Sequence, residues 1–294
     1  MKNIIYVFVL LFSFAISGCE KNVTVVIPAS STEIVVEGYI EPGKSPIVLL
    51  TRSLPFFGEI NVNNIFQNTV TGAIVIVDDG IQEDTLTQFG NFGIYTSSTM
   101  LGQIGRTYSL KVISGDQTVS AVTTLPPAIP FDSLWWKVDG TRDSLGFLWA
   151  HLTDPDTLGN SYRIFMQRIN HYTYGQELGK QKDSTFTTPP GSVFEDRYIN
   201  GKSFDISFPR GSFQNSTKEE DDNKERLLYK RGDTIVVKFC TIDRAHFEFW
   251  RTEESQISSN GNPFGSPQPV HSNIVGGLGI WGGYTPTYDT VIAR

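Results

Sequence analysis

Residues 106–125, RTYSLKVISGDQTVSAVTTL, decide the fold. Tyr108, Leu110 and Val112 alternate with polar neighbours, and a period of two turns one face of a strand to a core and the other to water. The Thr- and Val-rich run that follows closes the unit, because Pro126-Pro127 cannot sit in a central strand and marks a boundary near residue 127. Upstream, EIVVEGYI (33–40) and PIVLLTR (46–52) flank Glu41-Pro42-Gly43-Lys44, whose Pro-Gly pair signals the turn of a hairpin. VTGAIVIVDDG (70–80) is an apolar run stopped by Asp78-Asp79-Gly80, and DTLTQF (84–89) reads as one short alternating strand. Between them, residues 53–69 lack a period and read as a long loop carrying Phe56 and Phe57; loops of that length are often functional.

Downstream, FDSLWWKVD and SLGFLWAHLTD are strand candidates either side of Gly140. Trp135 and Trp136 are adjacent, so one faces a core and the other an interface. In NSYRIFMQRIN (160–170), Tyr162, Ile164 and Met166 alternate with Arg163, Phe165 and Gln167, as on a strand of a two-sheet sandwich. Residues 170–232 are polar, with the mixed-charge run Lys218 to Arg226, and read as a solvated loop insertion. DTIVVKFCTI (233–242) is a buried strand. A helix follows over about Arg244 to Ser258, with Asp243 as its N-cap and Phe247, Trp250 and Ile257 as its apolar stripe. Asn262-Pro263 breaks it, and the glycines of SNIVGGLGIWGGY (272–284) suit a closely packed final strand.

The fold expected is therefore mainly β, with two β-sandwich domains, 32–126 and 127–294, the second carrying the polar insertion and the one helix. The chain has 294 residues, 39% hydrophobic and 12% aromatic, enough for a sizeable core. Its 24 Lys+Arg against 31 Asp+Glu leave a charge of −7, which gives a nonspecific grip on nucleic acid no support.

The N-terminus, MKNIIYVFVLLFSFAISGC, joins a positive residue, Lys2, to the apolar stretch Ile4 to Ile16 and then to the small residues Ser17 and Gly18. The apolar stretch is too short for a spanning helix and fits an export signal over residues 1–18. Ile16-Ser17-Gly18-Cys19 resembles the lipobox of bacterial lipoproteins, in which the cysteine thiol takes a diacylglyceryl group; the other reading is a plain secreted protein. Residues 19–31 would form the lipid anchor and tether. With Cys19 lipidated, Cys240 is the remaining thiol of two, in a strand-like apolar run that points to burial.

No G-x-S-x-G, H-E-x-x-H, P-loop or C-x-x-C motif occurs, so neither a catalytic set nor a cofactor is expected. His151, His171, His246 and His271 have no metal-ligand spacing. Asp154-Pro155-Asp156 reads as a turn between strands, since no closing Glu completes a calcium loop. Phe56, Phe57, Trp281 and Tyr284 are the aromatic candidates for contact with a ligand or partner, and the Tyr172 and Tyr174 pair joins them as flat apolar faces.

The lipobox, EIVVEGYI, LTRSLP, TGAIVIVDDG, FGIY, GRTYSLKV and NPFGSPQPVHSNIVGGLGIWGGY together resemble a Bacteroidota lipoprotein family known as domain of unknown function 4249. EGYI and the Gly-rich tail are the most specific pieces. The TGAIVIVDDG to GRTYSLKV stretch is also similar to transthyretin-like or carboxypeptidase-regulatory sandwiches; it implies transthyretin-like or fibronectin-like β-sandwiches, not peptidase activity. The resemblance implies an accessory or binding lipoprotein of the outer membrane, on its periplasmic or cell-surface face, partnering a SusC-like TonB-dependent transporter in nutrient capture or gating. A cell-surface hydrolase acting on glycan or peptide, and an adhesin or envelope assembly factor, stand as the alternatives.

Overall fold

The expected hairpin opens the fold: β1 (Ile34–Ile40) and β2 (Ile47–Arg52) pair antiparallel. Gly43 supplies the positive φ of 72° that their connection needs. The computed structural model describes residues 32–54, 68–140, 142–170, 183, 185–211, 227–259 and 269–294. Next come β3 (Ile74–Asp78), β4 (Glu83–Thr85), β5 (Thr87–Phe89), β6 (Ile94–Thr96), β7 (Thr107–Ser114) and β8 (Gln117–Thr124). They form a sheet of order β4-β3-β7-β8, while β6 and β5 extend the hairpin at β2. DTLTQF is two strands rather than one: β4 pairs with β3 and β5 with β6, in different sheets. Leu86 between them is buried in the core where the chain crosses. Alternation within so short a run cannot mark that crossing. Ile34, Val36, Val48 and Leu50 of one sheet meet Val75, Tyr108, Leu110 and Val112 of the other, so the first sandwich closes as the period of two requires.

The second sandwich uses β9 (Ser133–Asp139), β10 (Arg142–Thr153), β11 (Ser161–Asn170), β12 (Val193–Glu195), β13 (Ser203–Phe208), β14 (Tyr229–Lys230) and β15 (Thr234–Ile242). Strands β9, β10, β13 and β14 make one sheet, and its core partner is β12-β11-β15. Trp136 is the inward member of the tryptophan pair; Trp135 stacks on Trp149 with ring centroids 6.3 Å apart. Tyr162, Ile164 and Met166 are all fully buried, as the alternation predicts. Asp154 lies in the turn between β10 and β11, where its carboxylate accepts the Tyr162 hydroxyl.

The 170–232 region departs from the solvated loop expected of it. It holds β12, β13 and β14, and it buries Asp183 beside Arg210, with Nη2 to Oδ1 at 2.8 Å. Arg168 and Asp233 complete a buried charge cluster. A polar composition looks solvated in sequence because the opposite charges that make burial tolerable are distant along the chain. The run Lys218 to Arg226 lies outside the described residues.

The helix α1 (Arg244–Ser259) starts where expected. Asp243 Oδ1 accepts the His246 amide at 2.8 Å, the N-cap interaction, and Oδ2 accepts the Thr124 amide at 3.2 Å, tying the helix start to β8. Phe247 is buried against Cys240, Ile242 and Tyr284, but Ile257 is 42% exposed.

The last strand, β16 (Leu278–Ile292), joins the halves. Leu278 to Gly283 pair in parallel with β1, and Tyr284 to Ile292 pair antiparallel with β15, giving one eight-stranded sheet of order β12-β11-β15-β16-β1-β2-β6-β5. Residues Thr32–Arg294 thus form one compact unit. Pro286 is tolerated because β1 ends its pairing at Gly283, which leaves that edge of β16 without a ladder partner. Trp281, from the C-terminal segment, lies in the core of the N-terminal sandwich. Gly38 is its register partner, and a Cβ there would lie 2.8 Å from the Trp281 ring.

Candidate functional site

The inner faces of the eight-stranded sheet are filled by the two cores, so its outer face is what remains for function. Where β1, β16, β15 and β11 lie side by side and α1 packs over them, that face carries a cleft of about 410 Å3, within the size range of small-molecule sites. Glu37 and Tyr39 reach it from β1, Ile280 and Tyr284 from β16, Lys238 from β15, and Arg163 and Phe165 from β11. His246 and Trp250 enter from α1, and Thr185 and Phe186 from the segment before β12. The alternation that sends Tyr162 and Ile164 into the core sends Arg163 here.

Two cations serve the cleft differently. Lys238 is held by Glu41, whose carboxylate also takes Lys44 at 2.6 Å. Burial alone would raise the Glu41 pKa, but the two ammonium groups hold it below the ordinary carboxylate value. Arg163 is 6% exposed and makes no ion pair with any described carboxylate. Its guanidinium carbon lies 3.4 Å from the Trp250 ring centroid and 4.7 Å from that of Phe165, so aromatic faces surround the charge. Nη1 donates to the Tyr284 hydroxyl, while Nε is buried with no partner. Trp250 Nε1 is also buried without a partner: it faces the Tyr284 oxygen but not in hydrogen-bonding geometry.

His246 closes the floor. It is fully buried, its ring 4.3 Å from the Tyr284 ring, and Nδ1 donates to the Gly283 carbonyl at 3.3 Å. Burial, and then the Arg163 charge, push its pKa down to about 3, so the imidazole is neutral at physiological pH. Gly282 is required beneath it, since a Cβ there would overlap the His246 ring. Burial likewise pushes Tyr284 up to about 12 and Cys240 up to about 12, so neither is a nucleophile or base at neutral pH.

Of the aromatic contact candidates, Tyr284 lines this cleft. Trp281 does not: it is fully buried, with Nε1 donating to the Tyr108 carbonyl at 3.0 Å, because Gly38 on the paired strand leaves space for the ring in the core. Cys19, Phe56, Phe57, His171, Tyr172 and Tyr174 lie outside the described residues. Arg163, Phe165, Trp250 and His246 were not singled out for binding by the sequence; the available signal was an arginine on the face of a strand opposite three core residues. Among the described residues, no group of His, Cys, Asp and Glu is placed to hold a metal ion, and no helix is long and apolar enough to cross a membrane.

A family model described as "Domain of unknown function (DUF4249)" matches residues 20–290. No curated protein matches the chain. Among solved structures, a two-domain fibronectin type III segment from chicken tenascin is similar at 7% identity and a TM-score of 0.21, covering 72% of this chain and 91% of that one.

Proposed function

The chain belongs to the family described as domain of unknown function (DUF4249), and from that premise we propose that it is a lipid-anchored accessory protein of the outer membrane that captures a ligand beside a SusC-like TonB-dependent transporter. The observation that carries the reading is a juxtaposition. EGYI and the Gly-rich tail, the stretches that bear the family resemblance most specifically, are the neighbouring strands β1 and β16, and together they wall one cleft. The cleft's chemistry supports binding over hydrolysis. Of the two acids that line it, Glu37 on β1 and Glu41 just after that strand, Glu41 is held by Lys44 and Lys238, which removes it from a shared acid and base role with Glu37.

Attachment rests on the motif Ile16-Ser17-Gly18-Cys19. Acylation at Cys19 adds about 0.8 kcal/mol of membrane affinity per buried methylene, so two or more chains hold the domain stably. Residues up to Ser31 then act as the tether, and the transporter is the macromolecular partner.

Purification of the tagged full chain from outer membranes in mild detergent tests the partnership. A barrel protein is expected to be retained, and its consistent absence would contradict the reading. Cys19→Ser is expected to move the chain out of the membrane fraction; unchanged fractionation would contradict the anchor.

A further inference from the structure

We propose that the cleft binds an organic carboxylate, with the guanidinium of Arg163 gripping the carboxylate group and Phe165, Phe186 and Trp250 taking the apolar body of the same molecule. The inference rests on reading this cleft as the capture site.

The other two buried or nearly buried arginines of the second sandwich, Arg168 and Arg210, both meet Asp183, and Lys238 meets Glu41. Arg163 is as deeply placed and has only a hydroxyl acceptor. A cation removed from water costs several kcal/mol unless paired, and aromatic faces return only part of that. The unsatisfied donors are also the right ones. Arg163 Nε and Trp250 Nε1 are both buried, both without acceptors, and both at the same cleft. A guanidinium presents parallel N–H groups that match the two oxygens of a carboxylate, so one planar anion matches the donor edge that the fold leaves without a carboxylate partner.

The surroundings select the charge of the ligand. Glu37 and Glu41 line the same cleft, and Glu253 on α1 feels Arg163 electrostatically. Lys238 offsets Glu41 and the lining charges of Arg163, Lys238, Glu37 and Glu41 balance, so Arg163 is the cation of the cleft that no described carboxylate pairs. A monoanion fits that balance; a phosphate dianion would meet the carboxylates with a charge to spare. His246, being neutral, neither competes for the anion nor repels the guanidinium. Aromatic side chains at Phe165, Phe186 and Trp250 then favour a flat or branched apolar group next to the carboxylate. Two sources share that chemistry, a free aromatic or aliphatic acid and the C-terminal residue of a short peptide.

Titration of the full chain in mild detergent, followed by Trp fluorescence and calorimetry, distinguishes them. The probes are 3-phenylpropionate, N-acetyl-phenylalanine, N-acetyl-leucine, Phe-terminated dipeptides, the corresponding amides, and phenyl phosphate. Carboxylates are expected to bind, with the amides weaker by roughly ten- to a hundredfold, the worth of a charge-assisted hydrogen bond pair. Preference for dipeptides over acetylated amino acids assigns the peptide source, and the reverse assigns the free acid. Arg163→Gln is expected to lose affinity by the same factor, with Arg163→Lys between the two. Trp250→Phe keeps the ring, removes the second donor and is expected to weaken binding several-fold while preserving the fold, so a failure of Arg163→Gln to fold leaves the test intact. Binding of amides or phenyl phosphate as tight as that of carboxylates, unchanged affinity in the folded variants, or no response of the folded chain to any carboxylate would each overturn the proposal. That last result would leave co-purification with a barrel standing, whereas loss of the barrel with carboxylate binding intact would overturn only the transporter partnership.

Discussion

Between about pH 6.5 and 5, protonation of His246 should weaken this protein. The imidazole is fully buried between α1 and β16, and its pKa falls from the ordinary 6.5 to about 3, first through burial and then through the Arg163 charge. Between those values the unfolded chain binds a proton that the folded chain does not. Stability from this group is therefore complete above pH 6.5 and is lost as pH falls below it toward the folded value. At about pH 5 the unfolded imidazole has bound its proton with about 1.5 pH units of driving force, and at 1.36 kcal/mol per unit the loss is about 2 kcal/mol. The figure depends on the unfolded value so long as the folded one stays below about 4. Urea unfolding of the native chain and of His246→Gln, followed by Trp fluorescence between about pH 7.5 and 5, gives the comparison. The other histidines, and carboxylates such as Glu41 and Glu248 whose lowered pKa values act in more acidic solution, are shared by both proteins and cancel. The native chain should lose about 2 kcal/mol more than His246→Gln across that window. Equal slopes would refute the reasoning, because they would mean the buried imidazole takes its proton in place.

Gly38→Ala is expected to cost about 1–3 kcal/mol in thermal or urea unfolding, because its Cβ would stand 2.8 Å from the packed Trp281 ring and must displace core rather than a flexible tip. Asp243→Ala removes the helix cap and the bonds to Thr123 and Thr124, and should destabilise by about 1–2 kcal/mol, with amide exchange rising first in the opening turn of α1.

What the sequence made legible is what periodicity can encode. The alternations in β7, β11 and β15, the turn glycines, the Asp243 cap and the burial of Cys240 all follow from local pattern and appear in the structure. Long-range pairing is what local pattern does not carry. Nothing in SNIVGGLGIWGGY announces that its strand pairs in parallel with β1 and then serves β15, so Trp281 looked like a contact residue when it is core. Asp183 and Arg210 looked solvated for the same reason, since their partners are brought together only by the fold. The cleft was half visible. Tyr284 was legible as an aromatic beside glycines, but Arg163 sits where an amphipathic strand would send any polar residue to water, and only α1 packed across the sheet makes that face interior. Ile257 shows the converse: helical spacing put it on the apolar stripe with Phe247, yet Phe247 is buried and Ile257 is exposed.

Intact mass spectrometry of the chain recovered from the membrane fraction tests the lipid anchor itself. The expected species is a polypeptide beginning at Cys19 and carrying the added mass of a diacylglyceryl group, with or without a further acyl chain. A species that begins elsewhere, or that begins at Cys19 with an unmodified thiol, would contradict it.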